Sequence, residues 1–281
     1  MAHAPVQPYS GDFVAWSGGC VLIGEGGGGP IEPHAHYAIQ LCFAAPAGLR
    51  VRLGRHGAWQ ACAAALVPSR ATHTLDFGDR SWGAVVFVEP ETREGRALGA
   101  RLGGALECLD ASTLAPAIER VHAAWAVERD PAAVAAACRA LVQQLSATAS
   151  REPSDPRVLR AVEIIRERLH DAPSLERLAD AVHLSPSRFR HLFVEETGMP
   201  MRTYVLWRRL LHVWSLLMAG ETLSSAAHAA GFADSAHLSR TARAMFGLAP
   251  SAIRMAGPLR ERVRSRAGAD AGTAGRKTAA G

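Results

Sequence analysis

The sequence lacks an apolar run of the length that a membrane-spanning helix needs, which is about 18 residues. Charged residues or Pro/Gly clusters interrupt every apolar stretch of the 281-residue chain. The first residues, Met1 to Pro5, also lack the basic and apolar regions of a secretory signal peptide. With 48% hydrophobic and 20% charged residues, the composition is typical of a globular protein, which we expect in the cytoplasm without a membrane partner.

The sequence also lacks a Cys-x-x-Cys pair. Its five cysteines are odd in number and scattered, namely Cys20, Cys42, Cys62, Cys108 and Cys138. Such irregular spacing is typical of small buried side chains in a reducing compartment. We therefore expect free thiols rather than a disulfide or a redox site.

Basic residues are scarce in the front half of the chain and abundant in the back half. Residues 1–156 carry 12 arginines against 15 acidic residues, whereas residues 157–256 carry 13 arginines against 9 acidic residues. The net charge of +5 therefore belongs to the back half, which suggests a polyanionic partner there. A protein with only a basic tail would show the same sign of charge, so the charge alone does not identify the partner.

Short apolar or alternating runs, separated by Gly, Pro and Asp clusters, predict β-strands over roughly the first 110 residues. Many short strands with regular turn signals favour a sandwich or a barrel. The runs are Phe13–Trp16, Cys20–Ile23, Ile39–Phe43, Leu49–Leu53 and Trp82–Val88.

From Leu114 onward the apolar spacing becomes helical, and it predicts helices to about Glu128 and from Pro131 to about Ala147. The apolar stripe of this helical hairpin suits either the core or a dimer interface. The segment 150–156 is polar and contains two prolines, so it predicts a linker.

The whole chain is therefore predicted to be α+β. A β-sandwich or β-barrel with a helical hairpin would occupy residues 1–149, and an all-α domain would occupy residues 157–256, each with its own core. Residues 257–281 have no apolar periodicity, so we expect them to be disordered.

The back half contains an internal repeat. The segment 175–185 aligns with the segment 223–233 at an offset of 48 residues, and each copy predicts a short helix, a tight turn and a second helix. Gly231 suits a turn residue with positive φ. Residues 200–219, between the copies, are apolar on two faces, which is typical of a helix buried between partners.

Capping residues stand where the helices of both copies would begin and end. Ser174, Ser185 and Asp234 are suited to cap helix starts. Gly198 and Gly247 are suited to end the second helix of each copy.

Several short motifs follow one another in the back half. They are Leu175-x-x-Leu178-Ala179, Ser185-Pro186-Ser187-Arg188-Phe189, Leu192-Phe193-x-x-x-Thr197-Gly198, Arg209-Leu210, Ala227-x-x-x-Gly231-Phe232, His237-Leu238-Ser239-Arg240 and Phe246-Gly247-Leu248-x-Pro250. In this order they resemble the DNA-binding domain of the AraC/XylS-type transcription regulators, over residues 157–255. The resemblance implies two helix-turn-helix units that bind double-stranded DNA.

The sequence departs from the family pattern at a few core and turn positions. His183 stands where the family usually has Gly in the first turn, and Leu238 and Ala242 stand where it usually has Phe. Ile253 replaces the usual Tyr. These departures concern packing and stability more than the fold.

In a helix-turn-helix unit the second helix enters the major groove, and its early residues meet base edges. We expect arginines on this face to contact bases and those near helix starts, such as Arg188 and Arg202, to contact phosphates. Glu195 and Glu196 would lie beyond the groove. The predicted DNA-binding residues are Ser187, Arg188, Arg190, His191, Arg202, Ala236, His237, Ser239, Arg240 and Arg243.

Polar residues recur in the front half at the spacing of a strand. His34, His36 and Gln40 fall on one face of a strand, and His73 follows at a distance. These motifs resemble those of a cupin barrel, in which such positions supply three histidines and a carboxylate to a metal; here Gln40 takes the carboxylate position. The cluster predicts a metal-free effector pocket, a divalent metal site or a purely structural role, and the sequence leaves the three open.

The sequence thus predicts a sequence-specific transcription regulator with no catalytic residue and no certain cofactor. A small-molecule effector would bind in the front barrel, and the chain would form a homodimer, with RNA polymerase as a further candidate partner. The alternatives are a metal-binding cupin enzyme or metal sensor fused to a DNA-binding domain, and a DNA-binding protein of purely architectural function.

Overall fold

The computed structural model describes residues 9–25, 30–45, 48–78, 82–147 and 155–255. Predictions for the tail 257–281 and for most of the linker 150–156 lie outside these residues. Within the described ranges, no helix has both the length and the apolar character needed to cross a membrane.

Two β-sheets form the front half, as the alternating runs predict. The larger has seven strands in the order β10-β1-β2-β8-β3-β6-β9, and the smaller has three in the order β5-β4-β7. The strands are β1 (Tyr9–Trp16), β2 (Gly19–Glu25), β3 (Ile39–Ala45), β4 (Leu49–Leu53), β5 (Gln60–Cys62), β6 (Ala64–Val67), β7 (His73–Asp76), β8 (Trp82–Val88), β9 (Glu107–Leu109) and β10 (Ile253–Met255).

Helices cover one face of the larger sheet. They are α1 (Arg93–Leu102), α2 (Ala111–His122) and α3 (Pro131–Ser146), with a π-helical turn, Ala123–Glu128, after α2. The predicted hairpin is confirmed, and Trp125 in the π turn donates from Nε1 to Asp12 Oδ2 on β1 at 2.7 Å. This hydrogen bond to β1 helps to hold the helical hairpin against the sheet.

The prediction that the first 110 residues are all β is wrong at α1. Thr92 caps this helix by accepting a hydrogen bond from Gly95 N, and Gly103 ends it in the left-handed conformation. Ala97, Leu98 and Leu102 are buried against the sheet. The helix is short and lies between strands, so its apolar positions are too few to stand out from the β pattern.

The expectation of free thiols is wrong for one cysteine pair. Cys62 at the end of β5 and Cys108 in β9 form a disulfide, with a Cα–Cα distance of 5.2 Å. The two residues are separated by 46 positions, so nothing in their spacing indicates that the fold brings them together. The other cysteines, Cys20, Cys42 and Cys138, are free and buried, as predicted.

The back half is helical, and its capping residues act as predicted. Side chains of Ser174, Ser185 and Asp234 accept from the backbone N of Arg177, Arg188 and His237. Gly198 and Gly247 end their helices with φ of 75° and 69°. The helices are α4 (Pro156–Glu167), α5 (Leu175–Ala181), α6 (Pro186–Thr197), α7 (Met201–Met218), α8 (Leu223–Ala229) and α9 (Ser235–Phe246).

The prediction that everything after the linker is helical is wrong at β10. Tyr9, Ser10 and Gly11 of β1 pair in parallel with Ile253, Arg254 and Met255. An edge strand such as β1 exposes unpaired backbone groups that another segment can bind. The last described residues of the chain therefore complete the sheet with which the chain begins.

The apolar cores do not divide at the linker, in contrast to the expectation of one core per domain. The first helix-turn-helix unit, α5 and α6, shares a core with α4 and the start of α7. The second unit, α8 and α9, shares one core with the sheet residues that face away from α1–α3, such as Val51 and Phe87. The front half and the second unit are therefore packed as one apolar body.

The turns of the two units reach the same backbone conformation with different residues. His183 in the first turn has φ of 55°, and Gly231 in the second has φ of 81°. A left-handed conformation is unfavourable for a residue with a Cβ atom. His183 therefore carries local strain that the glycine usual at this position of the family would avoid.

We predict that His183→Gly stabilises the protein by about 0.5–1 kcal/mol, because the steric cost that it removes exceeds the added entropy of the unfolded chain. Chemical denaturation measures the change. As a control, Gly231→Ala should destabilise, since its Cβ would lie 2.8 Å from the His170 carbonyl oxygen. Equal stability of His183→Gly and wild type would show that the first turn is not strained.

Candidate DNA-reading surface and histidine cluster

The helix α6 presents a polar face to solvent in the first unit. Phe189, Leu192 and Phe193 are buried and hold the opposite face against α5 and α7. The predicted DNA-binding residues of this unit are all exposed, namely Ser187, Arg188, Arg190 and His191 on α6 and Arg202 on α7. Val194, one turn beyond Arg190, extends the same face with a side chain that is 37% exposed.

The helix α9 presents the corresponding face of the second unit. Ala236, Arg240 and Arg243 are exposed, whereas His237 and Ser239 are half-buried. The His237 ring packs at 5.3 Å against Phe232 of the preceding turn. Arg240 and Arg243 therefore form the accessible basic part of the predicted surface.

The helix α7 lies between the two units and joins them through one arginine. Arg209 donates from Nε to the Leu169 carbonyl at 3.1 Å and from Nη2 to the His170 carbonyl at 3.0 Å, both in the loop after α4. Its Nη1 donates to the Gly231 carbonyl at 2.6 Å, in the turn of the second unit. One guanidinium thus fixes the second turn against the first unit, a role that its place in the Arg209-Leu210 motif did not indicate.

Ion pairs join the front half to the first unit. Glu89, after β8, is buried and pairs with Arg166 of α4 at 2.7 Å and with Arg208 of α7. Arg96 of α1 pairs with Glu196 at the end of α6. Glu196 is therefore part of an interface with the front half, and the sequence gives no sign of it because the partners are 100 positions apart.

A second carboxyl group in this interface has a raised pKa. Glu91 accepts a hydrogen bond from the Tyr204 hydroxyl at 2.9 Å. Burial, followed by repulsion from Glu89, raises the pKa of Glu91 to about 7, although Arg166 lowers it in part. The protonated form of Glu91 therefore persists to a higher pH than in an exposed glutamic acid.

The four predicted effector or metal residues meet in the front half. His34, His36 and His73 are buried, and each offers a ligand atom within 4.8 Å of the others. A backbone bridge between His34 and His73 aligns their segments, with N···O distances of 3.0 and 2.9 Å. Gln40 on β3 completes the group, with its Oε1 2.8 Å from His36 Nε2 and 3.3 Å from His73 Nε2.

Burial sets the charge of this cluster. It lowers the pKa of His34 to about 3, with a further contribution from His36, and it lowers the pKa of His36 and His73 as well. The imidazoles are therefore neutral, which is the form that binds divalent metals. Three histidines and an amide oxygen are a suitable ligand set for such an ion.

The second helix-turn-helix unit touches the cluster directly. A Cβ atom on Gly247, at the end of α9, would lie 2.6 Å from both His34 Nδ1 and the Glu32 carbonyl oxygen. Ala35 N also donates to the Ala244 carbonyl of α9 at 3.4 Å. Residues of the cluster and the end of α9 are thus in van der Waals contact.

An apolar cavity lies next to the residue Leu248, which follows the end of α9. Leu22, Ile31, Phe77 and Val85 line it from the front half, and Leu248 lines it from the back half. Its lining contains Asp12 but no arginine, lysine or histidine among the described residues. This composition suits an uncharged apolar molecule better than an anion.

We predict that Arg209→Ala destabilises the protein by about 1–3 kcal/mol, because the mutation leaves the partly buried Leu169 and Gly231 carbonyls without their donor. Arg209→Lys should not restore the loss, since an ammonium group cannot reproduce the planar fork. Urea unfolding measures both variants, with Arg160→Ala, an exposed arginine of α4, as the control. Full recovery in the lysine variant would show that charge alone is required.

We predict that Glu91→Gln makes stability less dependent on pH. The pKa of Glu91 is raised in the folded state, so its contribution is fully present below the unfolded pKa and is lost as the pH rises through about 7. The wild type should therefore lose stability between about pH 5 and pH 7.5 relative to Glu91→Gln. Parallel pH profiles for the two proteins would contradict the raised pKa.

Comparison with known proteins identifies the back half. A model of a helix-turn-helix domain family matches residues 178–256. YijO of Escherichia coli K12, an uncharacterised HTH-type transcriptional regulator, is 32% identical over 118 residues, which are 42% of this chain and 41% of the relative. The chain thus matches about two fifths of that relative's length.

Solved structures match the fold of nearly the whole chain. A single-residue variant of ToxT from Vibrio cholerae, in its apo form, has a TM-score of 0.54 at 11% identity and covers 83% of this chain and 96% of its own. Wild-type ToxT with a bound unsaturated fatty acid has a TM-score of 0.50 at 12% identity and covers 88% of this chain and 92% of its own. At this identity the likeness concerns the fold alone, and it confirms the predicted α+β class.

The predicted β domain and helical repeat are therefore found together in known proteins, and the repeat matches a helix-turn-helix model. In sequence, the C-terminal part of the chain is thus similar to a helix-turn-helix domain and to part of an HTH-type transcriptional regulator.

Proposed function

We propose that the protein is a sequence-specific DNA-binding transcription regulator of the cytoplasm. The observation that carries the proposal is the repeat of two helix-turn-helix units, whose second helices, α6 and α9, both expose polar and basic faces. Arg209 fixes the two units relative to each other. A fixed pair of reading helices is what binding to successive turns of one DNA face requires.

The exposed arginines divide into two roles in this proposal. Arg190, Arg240 and Arg243 lie on the reading faces and would contact base edges, where a bidentate arginine–guanine pair contributes about 1–3 kcal/mol of discrimination. Arg188 and Arg202 lie near helix starts and would contact phosphates. Ser187, His191, Ala236, His237 and Ser239 complete the proposed surface.

The front half would act as the sensor of an effector. The cavity beside Leu248 supports this role, because a molecule bound there would contact both halves of the chain. The ToxT structures include one with a bound unsaturated fatty acid. The lining of this cavity, which is largely apolar and holds no basic residue beside Asp12 among the described residues, favours an apolar effector without a carboxylate.

Two further parts of the proposal concern partners and chemistry. A homodimer through the α2–α3 hairpin would double the DNA contacts, and Val127, which is 76% exposed in the hairpin, is available for such contact.

A metal-dependent enzyme is the second candidate function, favoured by the three-histidine cluster. Metal-dependent turnover of a small molecule by the purified protein would decide for the enzyme.

We predict that Arg240→Ala lowers affinity for the selected DNA site by about tenfold or more, in line with the loss of a bidentate base contact. DNA ligands are first selected from a random pool with the wild-type protein, and binding is measured at several salt concentrations. Arg160→Ala, which removes the same charge from an exposed position of α4, serves as the matched control.

The comparison separates base reading from general attraction to DNA. Loss of affinity in Arg240→Ala alone supports the reading role of α9. Equal, small losses in both variants would mean that the arginines contribute only net charge. Failure of the selection to enrich any sequence would refute sequence-specific binding by the chain.

A further inference from the structure

The three imidazoles of the cluster use the same ring nitrogen for hydrogen bonding. His34 Nδ1 lies 2.9 Å from the Glu32 carbonyl oxygen, His36 Nδ1 lies 2.8 Å from that of Ala38, and His73 Nδ1 lies 2.9 Å from that of Ala71. A carbonyl oxygen only accepts, so each Nδ1 carries the hydrogen. A neutral imidazole has one N–H group, so each Nε2 is left with a lone pair and no hydrogen.

The remaining polar atom of the group is also an acceptor. Gln40 Oε1 faces the Nε2 atoms of His36 and His73, whereas Gln40 Nε2 is buried without a hydrogen-bond partner among the described residues. The lone pairs of His36 and His73 Nε2 therefore face those of Gln40 Oε1, an arrangement that is unfavourable in a buried space without a positive charge between them. Backbone carbonyls that orient ring nitrogens are also the usual outer support of metal-binding histidines.

The other orientation of the Gln40 amide would satisfy two of these nitrogens without an ion. Its NH₂ group would then donate to His36 and His73. The amide oxygen would then take the place in which the NH₂ group has no partner among the described residues. Both arrangements therefore account for the contacts of Gln40 with His36 and His73, but only a cation also uses the third imidazole, whose ligand atom lies within 4.8 Å of the others; the experiment below separates the two.

We propose that a divalent transition-metal ion bound by His34, His36, His73 and Gln40 regulates the second helix-turn-helix unit through the end of α9. The regulation rests on the proposed function, whereas the binding of the ion does not. Imidazole nitrogens with one oxygen favour ions such as Zn²⁺, Co²⁺ or Ni²⁺ over Mg²⁺ or Ca²⁺.

The coupling follows from the contact between Gly247 and His34. Gly247 packs closely against His34 Nδ1 and against the Glu32 carbonyl oxygen that accepts from it. A Cβ atom on residue 247 would lie only 2.6 Å from each of these two atoms. Ala35, between two of the ligands, donates to Ala244 of α9. An ion that fixes the His34 ring therefore also fixes the place where α9 ends, on the helix that carries Arg240 and Arg243.

The first experiment measures the ion directly. Full-length protein is stripped with a chelator and titrated with Co²⁺, whose visible absorption reports nitrogen and oxygen ligands, and Zn²⁺ is then used in competition. We expect one ion per chain, loss of binding in His36→Ala and His73→Ala, and no change in the control His212→Ala, an exposed histidine of α7.

A second variant tests the metal site even if the alanine variants do not fold. Gln40→Glu supplies a carboxylate at the ligand position and should tighten Zn²⁺ binding by about tenfold or more, because the anion is the stronger ligand. A folded wild-type protein that takes up neither Co²⁺ nor Zn²⁺ would overturn the site and favour the rotated amide. Weaker binding by a folded Gln40→Glu would also count against it.

The second experiment measures coupling to DNA. Affinity for a DNA fragment selected by the wild-type protein is compared in chelator and in saturating Zn²⁺, and we expect a difference of about fivefold or more. By linkage, the fragment should change Zn²⁺ affinity by the same factor. Binding of Zn²⁺ without any change in DNA affinity would overturn the regulation and leave the metal site intact.

Two glycine variants test the route of the coupling. Gly247→Ala and Gly198→Ala both place a Cβ on a left-handed helix end, with φ of 69° and 75°, but at Gly198 the nearest atom is Pro90 Cβ at 3.8 Å. Only Gly247→Ala should weaken Zn²⁺ binding and reduce its effect on DNA. Equal behaviour of the two variants would exclude this route.

The outcomes distinguish this inference from the proposed function. A protein that binds Zn²⁺ but selects no DNA sequence keeps its metal site and loses the regulatory role. A protein that binds its selected DNA equally well in chelator and in Zn²⁺ remains a regulator but is not controlled by the ion.

Discussion

The apolar core shared by the front sheets and the second helix-turn-helix unit is the constraint on which the rest of the structure depends. Phe246 of α9 stacks on Trp207 of α7 at 5.3 Å, and both rings meet Phe87 of β8, at 5.1 and 5.5 Å. Burial of one large apolar side chain contributes about 1.5–3 kcal/mol. The place of α9 is therefore set by the interior of the front half as much as by its own unit.

The first unit is held by a different kind of interaction. Its core is a separate cluster that only Tyr37 of the described front-half residues joins. Its polar contacts with the front half include ion pairs around Glu89 and Glu196 and the Tyr204–Glu91 hydrogen bond. A buried ion pair adds little net stability because of the cost of desolvation, but removal of one partner leaves an unpaired charge. The front half thus contacts the second unit mainly through apolar packing and the first mainly through charged and polar groups. Temperature, salt and pH should therefore change the stability of these two contacts to different extents.

The sequence allowed us to predict features that depend on neighbouring residues, but not contacts between residues that lie far apart in the chain. Caps, turns and apolar spacing repeat within a few residues, so both units and the hairpin were predictable, as was the meeting of His34, His36, Gln40 and His73. The disulfide, β10 and the Arg96–Glu196 pair join residues that only the fold brings together. The role of Arg209 was hidden for the same reason, although its motif was visible.

The end of α9 touches both candidate ligand sites of the front half. Gly247 contacts the histidine cluster, and the next residue, Leu248, lines the apolar cavity. A ligand shifts an equilibrium only if it binds two arrangements with different affinity. Any molecule that fills the cavity or fixes His34 must accommodate the two consecutive residues, Gly247 and Leu248, that follow α9. A metal ion and an apolar effector would therefore act on the same element, and the effect of one should depend on the presence of the other.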